Sequence, residues 1–261
     1  MSAPLEPLQG GQAMRALFMG FSLVAYAIFF ATFLYLIAFV GNFSVVPKTV
    51  DGPVSSMTTR GAVIVDLALI ALFGVQHSVM ARPGFKRAWT RIVPPPIERS
   101  IYVLLASVAL IVMFIFWQPL NSIIWSVNNA LAYDLLFALF WIGFGIVLVS
   151  TFLINHFELF GLQQAWFHNR HRQEQAPQLR EPSLYRFVRH PMMLGFFIAF
   201  WATPVMSAGH LLLAAAMSVY IFVALHYEER DLVGIFGADY EDYRTRVGML
   251  IPGIGRRAPP A

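Results

Sequence analysis

Long apolar runs alternate with short polar stretches along this chain, and the apolar stretches fall at about 14–40, 60–80, 100–117, 132–154, 191–207 and 210–227. A bilayer core of about 30 Å takes about 20 apolar helical residues. All six runs therefore approach spanning length, the last two being short. Ala16–Val40 is too long for the apolar region of a signal peptide and reads as a retained anchor. The expected fold is all-α, a single integral membrane domain of five to six spans. Its last two runs form a C-terminal helical hairpin, followed by a short helix ending near Pro252. Pro94-Pro95-Pro96 reads as a stiff break before the third span, because each ring removes a donor and biases its predecessor away from helix.

The polar stretches set the orientation. Segment 81–99 holds Arg82, Lys86, Arg87, Arg91 and Arg99 against Glu98. Segment 155–190 holds Arg170, Arg172, Arg180, Arg186 and Arg189 against Glu158, Glu174 and Glu181. The alternate loop 41–59 has only Lys48 and Asp51, and 118–131 has no charge. Basic loops stay in the cytoplasm, which predicts a multi-pass protein of the bacterial inner membrane with both termini inside.

Composition agrees. Of 261 residues, 58% are hydrophobic and 12% charged, against about 25% charged in soluble domains. A net charge of +4 invites a nucleic-acid partner, but the positive residues sit in loops beside membrane segments, so the lipid bilayer is the expected partner and nucleic acid is not. The absence of cysteine excludes disulfides, thiolate catalysis, iron–sulfur clusters and covalent haem.

Chemistry concentrates at the ends of the hairpin. Folding about Ala208–Gly209 places His190 beside Tyr227, and Glu228 and Glu229 beside Arg189. The inner ends of other spans add His77, His156 and Glu158. Ionisable groups at membrane depth are functional candidates, although any one of them can simply snorkel to the interface. A metal is not expected: His156 and Glu158 are two apart and point to different sides of a helix, and no HExxH or CxxC spacing exists. Haem ligation by His77 and His156 is less favoured than ordinary hydrogen bonding. Gly143-Phe144-Gly145 lies inside a span, which excludes a dinucleotide-binding turn. Asp66 and Asp134 read as interfacial or packing partners toward the outer side. The stretch 163–182, with Trp166, Phe167, His168 and His171, reads as a surface loop rather than a flap.

Tyr185-Arg186-Phe187-Val188-Arg189-His190-Pro191-Met192-Met193-Leu194-Gly195 resembles the YRxVRHPxYxG signature of the isoprenylcysteine carboxyl methyltransferase superfamily. Glu228-Glu229-Arg230-Asp231-Leu232, then Phe236-Gly237, Tyr240, Tyr243, Arg246-Val247 and Pro252, resemble its EExxL…FGxxYxxYxxRV…P ending. Upstream, Phe73-Gly74-Val75-Gln76-His77-Ser78 and Asn155-His156-Phe157-Glu158-Leu159-Phe160-Gly161-Leu162 resemble the methanethiol S-methyltransferase branch. The resemblance implies S-adenosylmethionine as cofactor and a small volatile thiol, methanethiol, as substrate, with dimethyl sulfide as product. It implies that residues 183–252 bind the cofactor and residues 1–182 supply the acceptor side. Tyr185, Arg189, His190, Pro191, Gly195, His226, Tyr227, Glu228, Glu229, Tyr240 and Tyr243 would then be cofactor-binding, with Glu228 or Glu229 on the ammonium and Arg246 helping to close the site. Met193 departs from the pattern, standing where the family carries tyrosine.

Methyl transfer from a sulfonium to a thiolate annihilates charge, so a dry, weakly screening site favours it. His77, His156 and Glu158 are the catalytic candidates beside Arg246. For the imidazoles, thiol activation and mere orientation of residues 155–165 stand as alternatives. Two further readings remain open: a prenylated or lipid carboxylate acceptor, and a non-catalytic protein resembling nitric-oxide reductase accessory proteins.

Overall fold

The computed structural model describes residues 9–172 and 178–256. In chain order the elements are α1 (Gln9–Val40), α2 (Thr59–Ala81), α3 (Pro83–Trp89), α4 (Pro95–Phe116), β1 (Ile123–Ser126), α5 (Ala130–Ile154), α6 (His156–Leu159), α7 (Leu162–Asn169), α8 (Pro191–Trp201), β2 (Val205–Ser207), α9 (Ala208–Phe236) and α10 (Ala238–Arg246). Five of them, α1, α2, α4, α5 and α9, are long and apolar enough to cross a membrane. Glu174, counted above among the loop charges, lies outside the described residues, as does the middle of the stretch 163–182.

Local sequence explains where the helices begin. Thr58, Asn129 and Ser207 each accept a hydrogen bond from the backbone three residues on, capping α2, α5 and α9. The proline triplet starts a helix rather than breaking the chain: Pro94 is the cap of α4, and Pro95 and Pro96 occupy its first turn, where a missing N–H costs nothing.

The expected fifth span, 191–207, is the main correction. Helix α8 stops at Trp201 after 11 residues, about 17 Å at about 1.5 Å per residue, and the chain leaves it extended. Pro204 is the reason: it disfavours helix at Thr203 and offers no donor. The segment beyond it pairs antiparallel with β1, Ile123 opposite Ser207 and Ser126 opposite Val205, in a stretch expected to be plain loop. The hairpin still folds back near the reflected register, with Trp201 Nε1 donating to Ser218 Oγ at 2.9 Å and Phe197 packed on Phe222.

Helix α8 is held from its other side by α5 at backbone contact. A Cβ on Gly195 would stand 2.6 Å from the Gly143 carbonyl oxygen, and one on Gly143 would stand 2.7 Å from that of Gly195. Small residues allow this close approach between membrane helices. The core runs through the bundle from Trp117, Phe39 and Met113 to Leu213, Ile221 and Leu225. At the end away from the histidine cluster, buried Asp66 accepts from the Gln118 backbone N–H at 2.8 Å, as a packing partner would, while Asp134 is exposed.

At the opposite end α10 lies against α9 through Tyr240, Tyr243, Leu232 and Phe236. The tail after it pairs with the segment leading into α8, as Arg189 N–H donates to Gly248 O at 2.9 Å and His190 N–H to Met249 O at 3.2 Å. The two halves of the C-terminal motif are thereby tied into one unit.

Candidate functional site

Glu229 is the hub of that unit. Its Oε1 accepts from Arg189 Nε at 2.7 Å, lies 3.2 Å from His190 Nε2 and accepts from the Tyr240 hydroxyl at 3.4 Å. Arg244 Nε approaches Oε2 at 3.3 Å as an ion pair without hydrogen-bond alignment. The Arg189 guanidinium continues to the carbonyl oxygens of Arg244, Val247 and Gly255. Its side chain is only 1% exposed and that of Glu229 only 8%. A carboxylate has about four acceptor positions, and four partners surround this one. The network is an internal clamp that fixes the hairpin mouth to α10 and the tail.

Beside the clamp lies a cavity of about 550 Å³. Tyr185, His190, Glu228, Tyr240 and Tyr243 line one wall, and Lys86, Arg99, Asn155, Glu158 and Gln164 the other. The Glu228 side chain is 40% exposed, with Oε2 3.9 Å from His190 Nδ1. Gln164 Oε1 is buried without a hydrogen-bond partner among the described residues. Burial pushes the hydroxyls of Tyr185, Tyr240 and Tyr243 up, so they are neutral donors at ordinary pH. The Tyr243 hydroxyl donates to Tyr185 O, anchoring α10 across the short turn before α8.

A second cavity, of about 220 Å³ and almost wholly apolar, lies deeper in the bundle among Phe29, Phe33, Phe73, Phe160 and Phe196. Arg99, Leu159, Met192 and Met193 line both cavities, so the two adjoin there.

Two imidazoles border the apolar cavity, and their environments differ. His156 is buried, stacked on Phe152 at 4.1 Å between ring centroids. Its Nδ1 lies 2.8 Å from Thr151 Oγ1 and its Nε2 2.7 Å from the Tyr26 hydroxyl. Because Thr151 already donates to Leu148 O, Nδ1 carries the proton and Nε2 accepts from Tyr26. Burial depresses the His156 pKa, which keeps the ring neutral. Both nitrogens are thus engaged in joining α6 to α1 and α5. His77 has Nε2 2.9 Å from the Tyr102 hydroxyl, while its Nδ1 is buried with no hydrogen-bond partner among the described residues.

The sequence-derived candidates therefore divide. Tyr185, Arg189, His190, Glu228, Tyr240, Tyr243 and Glu158 line the polar cavity, and His77 and His156 the apolar one. Pro191 starts α8 and Gly195 lies at its crossing with α5. Exposed His226 and Tyr227 line neither cavity; the Arg82 guanidinium sits 5.7 Å over the Tyr227 ring and pairs with Asp231. Arg246 is on the exposed face of α10, and hydrogen bonds to Glu181 and Asp242 hold its pKa above the usual arginine value. Arg99 and Tyr102 were not anticipated as site residues. The available sequence signal was the position of Arg99, last of the five basic residues of segment 81–99 and adjacent to the third span.

A family model described as phospholipid methyltransferase matches residues 133–239. The methanethiol S-methyltransferase of Mycobacterium tuberculosis is 53% identical over 87% of this chain and 93% of its own length. Methanethiol S-methyltransferase 2 of Bradyrhizobium diazoefficiens is 50% identical over 91% of this chain and 90% of its own. The methanethiol S-methyltransferase of Crocosphaera subtropica is 42% identical over 97% and 98%, respectively. No solved structure matches the chain.

Proposed function

Because the chain belongs to the methanethiol S-methyltransferase family, we propose that the paired cavities transfer the methyl group of S-adenosylmethionine to methanethiol, giving dimethyl sulfide and S-adenosylhomocysteine. The protein is an integral membrane enzyme, a methyltransferase acting on this thiol. The observation that carries the site assignment is the meeting of a polar and an apolar cavity at Met192, Met193, Arg99 and Leu159.

The polar cavity suits the cofactor. Its about 550 Å³ falls within the roughly 300–1,000 Å³ of ligand pockets. A half-exposed carboxylate beside an imidazole and the unpartnered Gln164 oxygen fit a ligand bearing an ammonium and other donors. Glu228 takes the ammonium, His190 orients Glu228, and Lys86 and Arg180 attract the carboxylate. S-adenosylmethionine supplies an electrophilic methyl group on a sulfonium. Glu229, committed to Arg189 and Arg244, keeps this wall in place rather than touching the ligand.

The apolar cavity suits a small thiol. At about 220 Å³ it lies below the usual range for larger ligands, which favours methanethiol over a prenyl chain. Its phenylalanines exclude water, so opposite charges meet with little screening. Holding the thiol against the junction supplies much of the rate gain through proximity. His77, with one ring nitrogen uncommitted, is the group to take the thiol proton, and His156 is a positioning residue for α6. The polar cavity is bordered by Lys86, Arg99 and Arg180 of the basic loops, and by the positive-inside rule this end faces the cytoplasm.

Membranes containing the protein, supplied with methanethiol and methyl-labelled S-adenosylmethionine, should release labelled dimethyl sulfide measured by headspace gas chromatography. His190→Ala should weaken S-adenosylhomocysteine binding. No labelled product from protein that binds the cofactor product would overturn the acceptor, and no binding at all would overturn the methyl donor.

A further inference from the structure

Among the described residues Arg99 is the one charged side chain that lines the apolar cavity, and it lines the polar one as well. The neighbouring cations differ from it, Arg180 in lining the polar cavity alone and the others in being paired. Arg82 pairs with Asp231, Lys86 with Glu98, and Arg189 and Arg244 with Glu229. Among the described residues Arg99 has no carboxylate within ion-pair distance. Its Nε donates to Leu159 O at 2.9 Å and its guanidinium lies 4.9 Å over the Tyr102 ring. These contacts fix the head group by its Nε edge and one face, and neither neutralises the charge. A partly buried cation without a counter-ion, at the join of a dry cavity and a polar one, is a place for an anion.

We infer that Arg99 is a catalytic residue that holds the acceptor as its thiolate at the junction of the two cavities. The inference rests on the reading of the apolar cavity as the thiol site. The thiol S–H bond breaks as the acceptor settles against the guanidinium, and the proton passes to an imidazole, His77 in the reading above. A lone pair of the thiolate sulfur then forms the new S–C bond. The S–C bond of the sulfonium breaks, and its electron pair stays on the donor sulfur as a neutral thioether.

The need for such a group follows from acidity. Cysteine has a pKa of about 8.5 and is only a few per cent thiolate at pH 7, and a simple alkyl thiol is less acidic. An opposite charge within about 4–6 Å moves a pKa by about 1–3 units. Each unit raises the thiolate fraction about tenfold. If the Brønsted slope of about 0.4–0.5 known for thiolate attack on disulfides applies, the accompanying loss of nucleophilicity is about threefold, so the cation leaves a net gain.

Rate against pH separates this role from others. On the acceptor side Arg99 shares its cavity with His77, Tyr102, His156 and Tyr220; on the cofactor side, with Lys86, Glu158, His190 and Glu228. All of these remain in Arg99→Gln, so the difference between the two profiles isolates the guanidinium. In the wild type, dimethyl sulfide formation should level off about 1–3 pH units earlier than in Arg99→Gln. The variant should be about threefold to thirtyfold slower at pH 7 and recover with rising pH, while its S-adenosylhomocysteine affinity stays unchanged. Its defect should shrink with a more acidic acceptor such as trifluoroethanethiol, and Arg99→Lys should restore part of the rate. Cofactor-product binding also verifies folding; if Arg99→Gln fails to fold, Arg99→Met, an unbranched side chain that also lacks the charge, carries the same comparison. A weakened affinity with an unshifted profile would assign Arg99 to the cofactor carboxylate and overturn the inference, as would an unaltered rate. A wild type that makes no dimethyl sulfide would instead overturn the proposed function.

Discussion

Replacing Glu229 by glutamine removes the carboxylate that two buried arginines share. The Arg189 side chain is 1% exposed and the Arg244 side chain 8%. Both charges would remain, without solvent and, among the described residues, without a counter-charge. Breaking a buried pair from one side costs about 3–5 kcal/mol, because the partner is left uncompensated. For a chain of this size each kcal/mol moves the thermal midpoint by about 2–4 °C, so the midpoint of detergent-solubilised protein should fall by about 6–20 °C. The adjacent Glu228→Gln offers the contrast. That side chain is 40% exposed and makes only a 3.9 Å approach to His190, so stability should stay within about 0.5 kcal/mol. Its loss should instead fall on S-adenosylhomocysteine, with affinity about tenfold to a hundredfold weaker, the worth of one charged hydrogen bond. Thermal unfolding and binding calorimetry on the two variants read both quantities. Equal stabilities, with the binding loss on Glu229→Gln alone, would refute the division into clamp and ligand contact.

Two other variants test the frame around the site. Gly195→Leu should force α8 off α5, because its Cβ would already stand 2.6 Å from the Gly143 carbonyl oxygen and 2.9 Å from the Val147 backbone nitrogen; a cost of about 1–3 kcal/mol and weaker cofactor-product binding should follow, whereas Gly145→Ala, with nothing within 4 Å among the described residues, should behave as wild type. His156 is depressed below the usual histidine value of 6.5, so below that pH the unfolded chain takes up a proton that the folded chain refuses. Its share of stability is therefore full above about pH 6.5 and lost as pH falls toward the folded value. Wild type should lose more thermal stability than His156→Gln between pH 7 and 5.5, and parallel curves would contradict the neutral, doubly bonded imidazole.

The hairpin was legible in the sequence because two apolar arms and a Ser-Ala-Gly turn leave one register, and the bonds from Trp201 to Ser218 and from Arg189 to Glu229 lie close to it. The length of α8 was not. Hydropathy sees Ala202, Thr203, Pro204 and Val205 as a continuing span, whereas the proline's geometry ends the helix. The four residues of β1 are too few for a periodic signal, although Ile123-Ile124-Trp125 has strand chemistry. Choosing between Glu228 and Glu229 required the fold as well. Neighbouring helical residues diverge by about 100°, and which of them faces Arg244 depends on where α10 docks. Likewise His77 and His156 look alike in sequence and differ only in what their ring nitrogens meet. Arg99 was legible as a topological charge and nothing more, since its lack of a partner is a property of three dimensions.

The central claim is that the methyl group crosses at the join of the two cavities. A structure of the protein with bound S-adenosylhomocysteine tests it most directly. The ammonium should lie against Glu228, with the sulfur turned toward the apolar cavity between Met192, Met193 and Arg99. A ligand bound elsewhere, or one whose sulfur faces away from that junction, would contradict the account.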